Sequence, residues 1–181
     1  MARVALMSRD GQGPRRAANP ARSAAWLTVV VSGLLLAACS HPPEGSAANR
    51  VFIDPQDPRL VAMGEPIYFA HCARCHGATL EGEPDWRRRR PDGRLPAPPH
   101  DPSGHTWHHP DWELFAMTAQ GVTPLAPPDY ETDMPAYRGI LTDEEIIAVL
   151  AWIKAQWPPE IAAIQQGISE RSDPPPGLQW R

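Results

Sequence analysis

Apolar side chains recur every three or four positions in three stretches of the chain, and each stretch carries its own start and stop signals. The first runs from Asp57 to Cys75. Leu60, Met63, Gly64, Ile67, Tyr68 and Cys72 share one face, with Asp57 as N-cap and Pro58 at the first helical position. Pro66 lies inside this pattern; it has no N–H to donate and crowds the carbonyl of Ala62, so a kink or a break is expected there. A second, shorter helix is predicted from Pro110 to Gln120, stopped by Gly121. The third is the clearest. Thr142-Asp143-Glu144-Glu145 spells a capping box ahead of Ile146, Ile147, Val149, Leu150, Trp152 and Ile153, and Pro158-Pro159 ends the run after Trp157. Apolar residues point almost all round this helix, which implies burial on more than one side. Residues 160–171 are a candidate for a further short helix, and residues 173–181 read as a loose proline-rich tail.

Sheet is disfavoured: the chain has 23 prolines, where an average chain of this length would carry roughly nine. The expected fold class is therefore all-α, with three main helices. Between the first two lies a loop of about 33 residues, Gly77 to His109, with no periodic pattern. Loops of that length in compact domains are usually functional or disordered.

The amino end reads differently. Arg3, Arg9, Arg15, Arg16 and Arg22 precede an apolar run from Ala24 to Ala38, shorter than the ~20 residues that span a bilayer. This is the pattern of a secretory signal. Its end, Leu36-Ala37-Ala38-Cys39, resembles the lipobox of bacterial lipoproteins, in which cleavage precedes a cysteine that then receives lipid; the alternative is an ordinary cleavage site with Cys39 incidental. Arg15-Arg16 lacks the apolar residues that usually follow in twin-arginine export. The expected organisation is a signal peptide at 1–38, a flexible tether at 39–56, a folded domain at 57–157, and a short helix with a tail at 158–181. The expected location is the periplasmic side of a bacterial membrane, anchored through Cys39, or alternatively soluble in the periplasm. The leader holds five of the chain's 17 basic and one of its 21 acidic side chains, so without it the charge falls to about −8. An acidic balance disfavours nucleic acid and anionic lipid surfaces and favours a basic docking patch on another protein.

The decisive chemistry is Cys72-Ala73-Arg74-Cys75-His76, a C-x-x-C-H pentapeptide that reads as a c-type haem attachment site. Cysteines three apart on a helix share a face and can both reach one edge of a porphyrin, forming thioethers to its two vinyl groups. His76 then presents an imidazole nitrogen to the iron as axial ligand. A structural zinc site would want a second C-x-x-C or a paired histidine motif, and a thioredoxin-like pair would want a strand before it and a helix after it. Neither context is present. The cysteines are all assigned: Cys39 to lipid, Cys72 and Cys75 to one covalent haem c, none to a structural disulfide.

Helix, C-x-x-C-H, long loop, short helix, then Met134-Pro135 ahead of a carboxyl-terminal helix: in this order the stretch from about Asp57 to Trp157 resembles the class I cytochrome c family. Gly64-x-x-x-Tyr68-x-x-x-Cys72 matches that family's helix-crossing signature, in which a glycine lets the first and last helices approach closely. The resemblance implies a class I cytochrome c fold wrapped around one haem, with Gly64 and Tyr68 meeting Val149 and Trp152. It also implies Met134 as the second axial ligand. Met117 reads as core filler, and His100, His105, His108 and His109 are the rival ligands. His71 reads as a surface residue. Trp86 and Arg94, with the run Arg87-Arg88-Arg89-Arg90, are candidates for haem propionate contacts because both residue types donate without accepting; a solvated charge run offsetting Glu81, Glu83 and Asp85 explains them equally well.

The function expected on these grounds is that of a membrane-tethered periplasmic electron carrier with His/Met iron ligation, serving a respiratory reductase, oxidase or dehydrogenase. With both axial positions filled there is no open site for oxygen or peroxide, so an enzyme is not expected. The alternative is a haem-based sensor, or a copper-handling module that uses His100, Asp101, His105, His108 and His109.

Overall fold

The computed structural model describes residues 52–175. The leader, Cys39, most of the tether and the end of the tail lie outside the described residues. What is described is all-α: α1 (Pro58–His71), α2 (Ala73–His76), α3 (Asp111–Gln120), α4 (Asp143–Ala155) and α5 (Pro159–Arg171). Short 3-10 turns at Thr106–His108 and Thr123–Leu125 punctuate the loops. No strand occurs among the described residues, only an isolated bridge between Arg138 and Leu141.

Helix α1 starts as expected: the Asp57 carboxylate accepts from the N–H groups of Arg59 and Leu60 at 2.8 and 3.3 Å, with Pro58 in the first turn. It does not break at Pro66. Ala62 and Pro66 both lie on the exposed face, so the carbonyl freed by the proline is solvated, while Leu60, Gly64 and Tyr68 hold the other face in the core. The interruption comes later. Cys72, at φ −113° and ψ −41°, closes α1 and opens α2, so the single helix expected up to Cys75 is two.

The crossing of α1 and α4 depends on Gly64. A Cβ there would fall on the Ala148 carbonyl oxygen and approach Trp152 Cβ at 2.9 Å, so only glycine allows this approach. Tyr68 packs on Trp152 with ring centroids 4.6 Å apart. Gly64 therefore meets Ala148 and Trp152, one residue away from the expected Val149. The α4 capping box is fully formed: Thr142 Oγ1 accepts from Glu145 N, and Glu145 Oε2 accepts from Thr142 N at 2.8 Å. Beyond it Ile146, Ala148–Ile153 and Lys154 are all buried, which accounts for the all-round apolar character.

Lys154 is the exception in that run. Its ammonium donates to Asp111 Oδ1 and to the Ile53 carbonyl, both at 2.7 Å, and Asp111 also accepts from Ile53 N at 3.0 Å and Gln165 Nε2 at 2.7 Å. One buried polar knot thus ties the entering chain, α3, α4 and α5 together. Ile53 is itself fully buried, so the folded domain starts before Asp57 and the end of the expected tether belongs to it. A single apolar residue beside an Asp-Pro turn has no period to reveal it. Helix α5, longer than a short appendage, is fastened by polar groups: Ser169 Oγ accepts from Asp111 N, and Trp112 Nε1 donates to Ser172 Oγ, each at 3.0 Å.

Candidate functional site

Helices α2, α3 and α4 and the two long loops surround a cavity of about 440 Å³, in the size range of cofactor pockets. Its apolar walls include Leu95, Val122, Val149, Leu150 and Ile153. Cys72, Cys75 and His76 line it from the α1/α2 junction, and Met134 from the loop that precedes α4. The residues assigned to haem attachment and to both axial positions therefore share one cavity.

The His76 imidazole is buried, with Nδ1 2.8 Å from the Pro98 carbonyl oxygen. A carbonyl only accepts, so Nδ1 carries the proton and the Nε2 lone pair remains for a metal. Burial lowers the His76 pKa against the opposing pull of the Pro98 carbonyl and Glu83, which favours the neutral, ligating form. The loop after the motif is folded back onto it: Gly82 N donates to the His76 carbonyl at 2.8 Å. Glu83 brackets Ala97, its carboxylate accepting from the Ala97 N–H at 2.6 Å while its backbone N–H donates to the Ala97 carbonyl at 2.9 Å. This pins the Pro96–Pro99 segment, and with it the Pro98 acceptor, beside the imidazole. The His100 ring stacks on His76 at 3.9 Å between centroids. Burial, then the neighbouring His76 and His105, hold His100 neutral.

Cys72 and Cys75 are free thiols. Burial, and secondarily Cys75, push the Cys72 thiol up to about 11. Redox cysteines are usually thiolates with a depressed pKa, so this setting disfavours the thioredoxin-like reading. Among the described residues, no group of three or more His, Cys, Asp and Glu side chains is arranged to hold a metal ion. The histidines of the copper reading are otherwise engaged: His100 Nδ1 lies 2.8 Å from Thr106 Oγ1, His105 stacks on Trp86, and His109 pairs with Glu113 at 3.1 Å. What the cavity offers is two thiols, a neutral imidazole and thioether sulfur within apolar walls, a donor set that fits a covalently held haem.

Residues 61–157 match the family described as Cytochrome c. The chain belongs to the cytochrome c family. Its all-α fold and its cofactor follow: cytochromes c bind covalently attached haem c and are in general electron carriers rather than enzymes. Comparisons with curated proteins and with solved structures returned no match.

Several residues of this cytochrome c stand elsewhere than the sequence suggests. Trp86 lines the cavity, with Arg87 over its ring at 4.0 Å, but Arg94 is not among the lining residues; Arg74, Arg87 and Arg90 are. The Arg94 guanidinium instead reaches Asp133 Oδ1 at 2.8 Å and Glu131 Oε2 at 3.4 Å. Met117, read as core filler, packs on the core and also reaches the cavity. His71, expected at the surface, is half-buried there. Of the rival ligands His100 and His105 line the cavity, whereas His108 and His109 do not. Pro98 and Tyr137 were not foreseen. Tyr137 donates from its hydroxyl to the His71 carbonyl at 2.7 Å, and its own N–H reaches Thr118 O at 3.0 Å, so it joins the Met134 loop to α1 and α3. Its place in Met134-Pro135-Ala136-Tyr137 was the only signal for it; an acceptor carbonyl such as that of Pro98 leaves no sequence signal.

Proposed function

We propose that this cytochrome c is a membrane-tethered periplasmic electron carrier with His76 and Met134 as axial ligands. The observation that carries the reading is the convergence of Cys72, Cys75, His76 and Met134 on one cavity. The two cysteines would hold the haem through thioethers, and the haem iron supplies a one-electron couple, ferric to ferrous. Met134 would occupy the sixth position and keep small ligands out, and thioether ligation raises the potential relative to bis-histidine ligation. His76, oriented through Pro98, would stay neutral in both oxidation states. Trp86 and Arg87, which line the cavity from the long loop, would be its donors to the propionates. Cys39, in its lipobox-like context, would carry the lipid, and the acidic balance of the mature chain suits brief encounters with a basic patch on a reductase, oxidase or dehydrogenase.

A redox titration of the haem-loaded protein, combined with carbon monoxide mixing, tests this. A reversible one-electron couple in a ferrous protein inert to carbon monoxide is expected. Rapid carbon monoxide binding would instead favour the sensor reading.

A further inference from the structure

The run Trp86-Arg87-Arg88-Arg89-Arg90 with Arg94 holds three arginines, Arg89, Arg90 and Arg94, to which the proposed function gives no role. Three of its guanidiniums converge on one short segment of the chain, residues 130–133, immediately before Met134. Arg90 bridges Glu83 at 2.7 Å and Asp133 Oδ2 at 3.1 Å, using a different nitrogen for each. Arg94 takes the other oxygen of Asp133 at 2.8 Å and lies 3.4 Å from Glu131. Arg89 lies 5.7 Å from the centre of the Tyr130 ring.

The two sides of Met134 are held by different means. On its carboxyl side, Tyr137 and Arg138 donate backbone N–H groups to Thr118 and Ala119 of α3 at 3.0 and 2.8 Å. On its amino side the backbone bonds are local, Tyr130 N to Pro127 O at 3.2 Å and Met134 N to Thr132 Oγ1 at 3.1 Å. The long-range attachments there are the arginine contacts. Met134 thus stands between a backbone hinge to α3 and an ionic fastening to the 83–97 loop.

We infer that Arg90 and Arg94, gripping both oxygens of Asp133, form a clasp that holds the Met134 loop closed over the cavity and sets how often the sixth ligand is released. The inference rests on the proposed Met134 ligation. Arg90 and Arg94 are positioning residues: they act on the ligand through Asp133. The arginines and Asp133 are between one-third and one-half exposed in their side chains, so the clasp is partly screened and salt weakens it. It is therefore a fastening that opens, unlike the buried Asp111–Lys154 pair.

The test is stopped-flow binding of imidazole to the ferric haem-loaded protein. Imidazole enters only after Met134 leaves, so its limiting rate at saturation reports loop opening. Relative to wild type, Arg90→Gln/Arg94→Gln and, separately, the isosteric Asp133→Asn are expected to raise that rate about three- to tenfold. Wild type should move toward the variants at high salt, and the variants should respond to salt less. A limiting rate unchanged in both variants overturns the clasp. The near-infrared sulfur-to-iron band of the wild type separates the two claims: its absence removes Met134 and the clasp with it, whereas its presence with unchanged rates removes the clasp alone.

Discussion

Removing one member of the Asp111–Lys154 pair should cost far more than removing the charge of both. The two side chains are 1% and 5% exposed, with 2.7 Å between Oδ1 and Nζ. Lys154→Met keeps most of the aliphatic stem and its packing, so what it removes is the ammonium. The Asp111 carboxylate is then left buried with only neutral donors, the Ile53 N–H and the Gln165 amide. Breaking a buried pair in this way costs about 3–5 kcal/mol. At about 4 °C per kcal/mol for a domain of this size, the midpoint should fall by roughly 12–20 °C. Asp111→Asn/Lys154→Met carries no buried charge. The carboxamide that replaces the carboxylate keeps an oxygen for the Ile53 N–H, and turning the Gln165 amide over brings its Oε1, buried and without a partner in the wild type, to the new amide donor in place of Nε2. The double variant should therefore lose only about 1–2 kcal/mol. Guanidinium denaturation of the haem-loaded protein, followed by tryptophan fluorescence, measures all four corners of the cycle. Single variants that each lose under about 1 kcal/mol and add in the double would refute the buried charge pair as the knot between the entering chain, α3, α4 and α5.

Three further outcomes are expected. Gly64→Ala gains about 1 kcal/mol of helix propensity but drives a methyl into Ala148 and Trp152, so it should destabilise by about 1–3 kcal/mol net; equal or greater stability in a denaturant titration would show that α1 and α4 are not in contact there. The Thr142 N–H and hydroxyl hold the Glu145 carboxyl below its usual range, so the capping box contributes stability above pH ~4.3 and loses it as pH falls through the folded value. The dependence of the melting midpoint on pH across that window should therefore be flatter for Glu145→Gln, which removes the titrating carboxyl, than for wild type, and parallel curves would contradict the assignment. Cys39→Ser should abolish incorporation of labelled palmitate into the protein in cells; continued labelling would remove Cys39 as the site of the lipid.

Much of the fold was legible because its signals are local. Asp57-Pro58 and the Thr142–Glu145 box each act within a turn, and the starts of α1 and α4 lie where those residues place them. C-x-x-C-H was legible for the same reason, being five consecutive residues whose types and spacing are the chemistry. Pro66 does not break α1 because the hydrogen bond it removes is lost on the exposed face, where the freed carbonyl is open to solvent. The polar contacts made at long range were invisible. Asp111, Lys154 and Gln165 are ordinary surface residue types, and nothing in their positions announces that they meet in the core. Arg94 belongs to a charge cluster that the sequence displays, but which carboxylates it meets depends on how a loop without period is folded.

The most direct measurement of haem held between His76 and Met134 is the near-infrared absorption of the ferric haem-loaded protein, recorded for wild type, Met134→Ala and Met117→Ala. The sulfur-to-iron band is expected in wild type and in Met117→Ala and should vanish in Met134→Ala. A band that survives the loss of Met134, or disappears only with Met117, would contradict the assignment of the sixth ligand.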